Sequence, residues 1–176
     1  VAAFQQSDMA LASKLFGRLA RLQPNNAEAH YNHGVALQGA GLFERAVSAY
    51  LSAIKLAPSN PAAYNNLGDS YENLKRLADA EAAYRKAIQV APDRPEAINN
   101  LGLLEQRRGN LSQAEVLFRR CLEIIPDQAS VLFNLGNVFR ERGRYCDAIL
   151  IYKKALEKTP DDTLTLKYLG MTLTRR

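Results

Sequence analysis

The stretch AYNNLGDSYENLKRLADAEAAYRKAIQVAP, residues 63–92, contains two segments that we predict to be helices, a polar turn between them and a closing proline. The closing proline recurs at a constant interval of 34 residues. The series is Pro24, Pro58, Pro92, Pro126 and Pro160. A fixed period of this length is typical of stacked supersecondary units that bury their apolar faces against their neighbours. The sequence therefore predicts a repeat array.

When this proline is numbered as position 32, four complete units fit the chain. They are residues 27–60, 61–94, 95–128 and 129–162. Residues 1–26 correspond to the end of an earlier unit, and residues 163–176 correspond to the first helix of a further unit or of a cap. We therefore predict a single array over residues 1–176, in which each unit consists of a first and a second helix joined by a short turn.

Glycine occupies position 8 of every unit, in the middle of the predicted first helix. The residues are Gly34, Gly68, Gly102, Gly136 and Gly170. Glycine inside a helix costs about 1 kcal/mol relative to alanine, so we expect a neighbouring backbone to approach closely there. Position 20 is always alanine, which is small enough to permit this approach, and position 24 is always aromatic. The aromatic residues are Tyr50, Tyr84, Phe118 and Tyr152.

The turns between the predicted helices are short and rich in glycine or polar residues. Asp79, Ser112 and Asp147 stand near the start of the second helix, where a short polar side chain can accept hydrogen bonds from free backbone N–H groups. We therefore expect these three residues to cap second helices. The proline at position 32 ends each second helix because it has no N–H to donate.

The glycine, alanine, aromatic and proline positions together resemble the tetratricopeptide repeat. The resemblance covers essentially the whole chain. It implies an all-α fold, an α-solenoid of helix-turn-helix repeats that forms a right-handed superhelix with a concave groove lined by first helices. It also implies a role in protein interaction. One departure is Glu105, which replaces the family's aromatic residue at position 11 and marks the third unit as weaker or specialised.

Asparagine occupies position 6 in all four complete units, although it is a poor helix former. The four residues are Asn32, Asn66, Asn100 and Asn134. At about 100° per residue, position 6 lies on the opposite face of the first helix from positions 4, 8 and 11, which pack against the partner helix. We expect the four carboxamides to form a ladder along the groove, where their donors and acceptors suit an extended peptide backbone. This ladder is similar to the asparagine ladder in the repeat region of O-linked N-acetylglucosamine transferase.

Two alternative roles for the asparagines stay open. The carboxamides could bond a neighbouring helix and stabilise the stack, or they could be tolerated in a solvated position; the first of these can coexist with ligand binding. Further residues predicted to line the groove provide a mixed surface with apolar spots for ligand side chains. They are Asn65, Asp69, Asn99, Leu103, Arg107, Asn137 and Arg140.

Composition argues against several classes of partner. The net charge of +5 comes from the terminal segments, with +2 in residues 1–26 and +3 in residues 163–176, whereas nucleic-acid-binding proteins concentrate Lys and Arg along one surface. We therefore expect no nucleic-acid partner. No apolar run approaches the roughly 20 residues that span a bilayer, so we expect no membrane insertion. Two cysteines form no disulfide framework and no leader is visible, which favours a cytoplasmic location.

No catalytic, cofactor-binding or metal-binding motif is evident. His30 and His33 stand three residues apart on one predicted helix, which could form part of a metal site. They also occupy packing positions, and no third ligand is evident. We therefore expect structural histidines, no metal, no cofactor and no catalytic residue.

We predict a non-catalytic module that binds an extended segment of a partner protein in the concave groove. One alternative is a substrate-recruiting segment of a larger enzyme, glycosyltransferase-like by resemblance. Another is a scaffold that forms homo-oligomers through its terminal helices, because residues 163–176 keep apolar side chains such as Leu166 and Leu169 that a following helix would normally cover.

Overall fold

The computed structural model describes residues 2–175, and it describes side chains from residue 8 onward. Over this range the chain forms ten α-helices and no strand, which confirms the predicted all-α helical-repeat fold. The helices are α1 (Ala2–Leu22), α2 (Ala27–Gly39), α3 (Phe43–Leu56), α4 (Pro61–Asn73), α5 (Leu77–Val90), α6 (Pro95–Arg107), α7 (Leu111–Ile124), α8 (Ala129–Glu141), α9 (Tyr145–Lys158) and α10 (Thr163–Leu173).

The chain divides into two compact units, residues 1–92 and residues 93–176, which we call the N-terminal and C-terminal units. In the N-terminal unit α2 pairs with α3 and α4 with α5, while α1 packs on α2 and α3 on α4. In the C-terminal unit α6 pairs with α7 and α8 with α9, while α7 packs on α8 and α9 on α10. The even-numbered helices are thus the first helices of the repeats, and the odd-numbered helices are the second.

The glycine at position 8 makes room for an aromatic ring. A Cβ atom added to Gly68 would lie 2.5 Å from Cε1 of Tyr84, and one added to Gly136 would lie 2.5 Å from Cε1 of Tyr152. Tyr84 and Tyr152 are each at most 1% exposed. The expectation of a close backbone was therefore wrong, because the position-24 side chain of the second helix fills the space.

The turn inside each hairpin places one residue in the left-handed region. Lys75 adopts φ 62° there, whereas the other three complete repeats have a glycine at this position. The turn is closed by a hydrogen bond of 2.9 Å from the Arg76 N–H to the Tyr71 carbonyl oxygen. Because a side chain disfavours positive φ, glycine is the residue expected at this position.

The capping prediction was wrong for the second helices. The N-cap residue of α5 is Arg76 and that of α9 is Arg144, and neither makes a side-chain capping hydrogen bond. Asp79 and Asp147 lie inside the first turn instead, where each pairs with the N-cap arginine at 2.8 Å. In α7 the N-cap residue is Asn110 rather than Ser112, again without a side-chain cap. The N-cap residues thus stand two or three residues before the predicted ones.

The first helix is longer than the other second helices. It has 21 residues, against 14 in α3, α5, α7 and α9. Its backbone continues as helix through residues 6–8, which correspond to the turn positions of the other repeats. None of the described helices combines the length and the apolar character needed to cross a membrane.

Glu105 is buried with its charge satisfied, which explains how the third repeat tolerates it. Its side chain is 4% exposed. Oε2 accepts a hydrogen bond of 2.7 Å from Nδ2 of Asn110, and Oε1 lies 3.6 Å from a guanidinium nitrogen of Arg108. The glutamate therefore links the end of α6 to the following turn, in place of the aromatic packing predicted for this position.

Candidate functional site

Asparagines at position 6 bridge neighbouring first helices. In the C-terminal unit, Nδ2 of Asn134 on α8 donates a hydrogen bond of 3.2 Å to Oδ1 of Asn99 on α6. In the N-terminal unit, Nδ2 of Asn66 on α4 donates a bond of the same length to the hydroxyl oxygen of Tyr31 on α2. Both bonds run from position 6 of one repeat to position 5 of the repeat before it.

The contact between position 5 of one repeat and position 6 of the next recurs at α10, where it is an aromatic contact instead of a hydrogen bond. Tyr168 occupies position 6 there, and its ring packs edge-on against the ring of Phe133, with centroids 5.4 Å apart and an interplanar angle of 82°. Phe133 occupies position 5 of the preceding repeat. Edge-to-face contacts of this kind stabilise aromatic pairs beyond their buried area. Position 5 and the following position 6 therefore form one recurring contact between first helices.

The bridging bonds leave hydrogen-bonding capacity unused. A carboxamide has two N–H groups and an oxygen with two lone pairs, and each bridge uses one N–H. Within the described part of the chain, Oδ1 of Asn134 makes no hydrogen bond, whereas Oδ1 of Asn66 accepts one of 3.4 Å from Nδ2 of Asn65. Both asparagines are half-buried, as are Asn32 and Asn100. A bond to the neighbouring first helix is thus observed for two of the asparagines, and both its effect on stability and the ligand-binding role stay predictions.

Position 9 connects this surface to the buried tyrosines of the second helices. The Tyr84 hydroxyl donates a 2.6 Å hydrogen bond to the Asp69 carboxylate, and the Tyr152 hydroxyl donates a 2.7 Å bond to Oδ1 of Asn137. Burial raises the pKa of Tyr84 well above its usual range, with a further rise from the Asp69 carboxylate. Burial raises the pKa of Tyr152 to about 12, against the opposing effect of Arg140. Both phenols therefore remain neutral donors that orient the position-9 side chains.

The first helices of the C-terminal unit enclose a pocket of about 420 Å³, which we call the first-helix pocket. Side chains from α6, α8 and α10 line it. They are Leu103, Gln106, Arg107, Asn137, Arg140, Glu141 and Tyr168. The pocket combines one aliphatic side chain, one aromatic ring, amides and charges of both signs. Five of its seven lining side chains are polar or charged, so the pocket offers mainly hydrogen-bonding and charged groups.

Arg140 is the central cation of the first-helix pocket. Its guanidinium carbon lies 4.7 Å from the centroid of the Tyr168 ring, within the range of a cation–π contact. Its Nε atom is buried and has no hydrogen-bond partner among the described residues. Glu141 is already engaged, because its Oε1 atom accepts a 2.8 Å hydrogen bond from Gln106. The pocket therefore holds a cationic donor that has no hydrogen-bond partner among the described residues and, beside it, a carboxylate that keeps its negative charge.

The structure brings together four of the predicted groove residues of the C-terminal unit, Leu103, Arg107, Asn137 and Arg140, in the first-helix pocket. It pairs Asn99 with Asn134 beside them. In the N-terminal unit, Asn65 contacts Asn66. Asp69 accepts from Tyr84, a contact that the sequence did not predict.

Tyr168 was missed as a site residue. The signal for it was present, because Tyr168 follows Asn134 by the same 34 residues that separate the asparagines.

His30 and Cys121 occupy structural positions. Nε2 of His30 donates a hydrogen bond of 3.0 Å to the Pro24 carbonyl oxygen, which ties α2 to the preceding turn. Burial raises the pKa of the Cys121 thiol to about 11, while Cys146 is exposed. The described residues contain no group of three or more His, Cys, Asp and Glu side chains that could hold a metal ion.

Two family models match the sequence, and both describe the tetratricopeptide repeat. One covers residues 31–97 and the other covers residues 93–160. Together they extend over most of the chain and include all four asparagines at position 6. A search of the curated proteins finds no significant match.

Several solved structures share the fold. The structure of MamA superposes with a TM-score of 0.81 at 23% identity, covering 88% of this chain and 90% of that one. YrrB, described as a TPR protein with an unusual peptide-binding site, gives a TM-score of 0.76 at 21% identity and covers 95% and 87% of the two chains. TTC0263, a thermophilic TPR protein of Thermus thermophilus, gives 0.75 at 22% identity with 98% and 94% coverage. At these identities the similarity shows the fold.

Proposed function

Because this chain belongs to the tetratricopeptide repeat family, we propose that it binds an extended segment of a partner protein through the surface formed by its first helices. Proteins of this family generally act as interaction modules rather than as catalysts. The observation that carries the proposal is the first-helix pocket, in which Arg140 and Tyr168 stand beside Asn137. Asn134 lies about one helical turn from Asn137 on α8, and its Oδ1 makes no hydrogen bond among the described residues. YrrB, with its peptide-binding site on a similar fold, supports the same assignment.

The asparagines supply contacts to the ligand backbone. The unbonded Oδ1 of Asn134 can accept a peptide N–H, and its second amide hydrogen can reach a peptide carbonyl oxygen. Because Nδ2 is held by Asn99, the carboxamide is oriented before the ligand arrives. Preorganisation of this kind lowers the entropy lost on binding. The resemblance to the asparagine ladder of O-linked N-acetylglucosamine transferase suggests the same kind of contact between carboxamides and a peptide backbone. Under this hypothesis the chain could also recruit substrates to an enzyme.

Arg140 supplies selectivity for charge. Its guanidinium is held over the Tyr168 ring, and its Nε–H has no partner among the residues described. A carboxylate of the ligand can accept from this donor, and charge-assisted hydrogen bonds are roughly twice as strong as neutral ones. Leu103 provides an apolar contact at the other side of the pocket. The preferred ligand is therefore an extended peptide with an acidic residue near an apolar one.

A peptide-display selection against the full chain tests the proposal. Enriched peptides should contain an acidic residue near an apolar residue, and their affinity can be measured by fluorescence anisotropy. Arg140→Gln should weaken binding about tenfold, which corresponds to the loss of one charge-assisted hydrogen bond. Leu103→Asp should weaken it further by placing a second acid in the pocket.

Lys153→Gln is the matched control, because Lys153 is exposed on α9 and does not line the first-helix pocket. It removes the same charge and should change the affinity by less than twofold. The circular dichroism spectra of all variants should match that of the parent. If Arg140→Gln and Leu103→Asp bind the selected peptides as tightly as the parent does, the peptide site lies elsewhere and the proposal fails.

Self-association is a second candidate, and it rests on the exposed apolar residues of two helices. On α10, Leu166 and Leu173 are 47% and 49% exposed, and nothing lies within 4 Å of a Cβ added to Gly170. On α1, Leu11 and Leu15 are 58% and 60% exposed. The α1 helix of a second copy could pack on α10 in the way that the second helix of a repeat packs on its first helix. Light scattering should then show a mass that rises with concentration and falls with Leu166→Glu, whereas a constant monomer mass removes this candidate.

A further inference from the structure

A second pocket, of about 330 Å³, lies among α1, α2 and α3 in the N-terminal unit. We call it the basic pocket, because four of its lining residues are Arg21, His30, His33 and Arg45. The rest of its lining consists of Leu37 and of small or hydroxyl-bearing residues. The histidines occupy positions 4 and 7 of α2, about 160° and 100° around that helix from Asn32, and neither Asn32 nor any residue of the first-helix pocket lines the basic pocket. The basic pocket is therefore separate from the surface proposed to bind peptides.

The next repeat fills the equivalent space with apolar side chains. Leu67 stands at the position of His33, Ile54 at that of Ala20, and Tyr71 at that of Leu37. Leu67 belongs to a buried hydrophobic cluster, and the partly buried Ile54 and Tyr71 pack against that cluster. The first repeat thus replaces a packed core with a cavity, and this cavity is bordered by ionisable groups.

Local packing makes room for the His33 ring. A Cβ added to Gly17 would lie 3.0 Å from Nε2 of His33, so any larger residue there would contact the ring tightly. Nε2 of His33 is buried and has no hydrogen-bond partner among the described residues. A buried polar nitrogen without a partner costs free energy, which a ligand that bonds it would recover.

The charges around the basic pocket lack a counter-ion. Position 19 holds Arg45, whereas Asp79 and Asp147 occupy it in the second and fourth repeats. Arg21 and Arg45 are exposed at the rim and form no ion pair with another described residue. No acidic residue lines the pocket within the described chain. The pKa of His33 is lowered mainly by burial and then by Arg45, His30 and Arg21, which shows that positive charge converges on this ring.

We propose that the basic pocket binds a phosphate group, carried by a small phosphate ester or by a phosphorylated side chain of a partner. A phosphate offers several acceptor oxygens and about two negative charges at neutral pH, which match two guanidinium groups and an imidazole. Arg21 and Arg45 reach the group from α1 and α3, and Nε2 of His33 meets it from α2. This inference does not depend on the peptide-binding proposal, because it uses none of the same residues.

Titration of the full chain with inorganic phosphate, phosphoserine and a phosphoserine-containing peptide tests the inference. The imidazole signals of His33 in proton NMR should shift saturably, and the pKa of His33 should rise when the anion is bound, because the anion stabilises the imidazolium form. Arg21→Ala and Arg45→Ala should each weaken binding about tenfold. Lys55→Ala removes a charge from α3 outside the pocket and should change the affinity by less than twofold.

His33→Leu is the second variant, and it introduces the residue that the other three complete repeats have at position 7. It should fold at least as stably as the parent and should lose phosphate binding. Saturable binding of inorganic phosphate supports a small-molecule ligand, and binding of the phosphopeptide alone supports a phosphorylated partner. The inference is overturned if no ligand gives a saturable His33 shift, or if Lys55→Ala weakens binding as much as Arg45→Ala does.

Discussion

The Nδ2 atom of Asn134 lies 3.2 Å from the Oδ1 atom of Asn99, so a side-chain hydrogen bond joins the first helices of two successive repeats. The same step joins Asn66 to the Tyr31 hydroxyl. Each of these two asparagines therefore bonds a neighbouring helix rather than standing free in solvent. Asparagine costs helix propensity inside its own helix, and we expect the bond to the neighbouring helix to offset that cost.

Tyr31→Phe tests the stabilising role of this contact. The change removes the acceptor for Asn66 and keeps the ring, so the free energy of unfolding should fall by about 0.5–1.5 kcal/mol. Chemical denaturation of the full chain measures this. Tyr64→Phe is the control, because the Tyr64 hydroxyl makes no hydrogen bond within the described chain, and it should leave stability nearly unchanged.

A double-mutant cycle with Asn66→Ala separates the contact from side effects of each change. The double variant Tyr31→Phe/Asn66→Ala should lose less stability than the two single variants together, because both remove one shared bond. Strict additivity would show that the bond contributes nothing to the stack.

Gly136→Ala should strongly destabilise the protein. The added methyl group would lie 2.5 Å from the Tyr152 ring, and overpacking of this kind costs about 1–3 kcal/mol. Gly170→Ala is the matched change, because nothing lies within 4 Å of a Cβ added to Gly170 on α10. It should raise the free energy of unfolding by about 0.5–1 kcal/mol, because alanine reduces the backbone entropy of the unfolded chain. Equal effects of both substitutions in thermal denaturation would contradict the ring-on-glycine packing.

The repeat and its hairpins could be predicted from the sequence because the period is carried by residues with strong local preferences. Pro92 cannot continue a helix, and Gly68 is costly inside one, so its presence indicates that no room is left for a Cβ atom. What fills the space beside Gly68 could not be predicted in the same way. The ring of Tyr84 and a close backbone both suit a missing Cβ, and only the relative placement of α4 and α5 decides between them.

The candidate site could be predicted only in part, because contacts between helices again depend on their relative placement. Helical geometry predicts that Asn134 lies on the opposite face of α8 from the residues that pack on the partner helix, but the bond to Asn99 depends on the rotation of α8 against α6. The 34-residue period does assign Tyr168 to position 6, but a tyrosine differs chemically from the asparagines at that position, so it was not recognised as equivalent to them. The predicted caps were wrong because the second helices begin before those residues; Asp79 lies inside the first turn of α5, where it pairs with Arg76.

Buried tyrosines should make the fold sensitive to alkali. The pKa of Tyr152 is raised by burial to about 12, and burial also raises those of Tyr50 and Tyr84. A raised folded-state pKa means that the unfolded chain loses its proton first, near pH 10. The stabilisation is complete below that pH and falls as the pH rises toward 12, by about 1.4 kcal/mol per pH unit for each tyrosine.

Denaturation between pH 9 and pH 12, with phenolate absorbance at each pH, measures this loss. Tyr152→Phe should make the free energy of unfolding fall less steeply with pH, by the contribution of one tyrosine. At pH 7 the variant should be less stable than the parent, because it loses the hydrogen bond to Asn137. An unchanged slope would mean that Tyr152 ionises in the folded state as it does in the unfolded chain.

The two cysteines should differ sharply in reactivity. Cys121 is buried and its pKa is raised by burial to about 11, so at pH 8 it is almost entirely protonated and shielded from reagent. Cys146 is exposed. Iodoacetamide should therefore label one thiol per native chain, at Cys146, and two after denaturation. Rapid native labelling of Cys121, located by mass spectrometry of tryptic peptides, would contradict its packing inside the third repeat.

The most direct measurement of the binding account is an NMR titration of the isotopically labelled chain with a peptide selected for tight binding. The side-chain amide signals of Asn134 and Asn137 and the Nε–H signal of Arg140 should shift saturably, with the same midpoint as the fluorescence anisotropy. Shifts confined to the outer faces of α7 and α9, with these three side chains unchanged, would contradict the proposal that first helices carry the site.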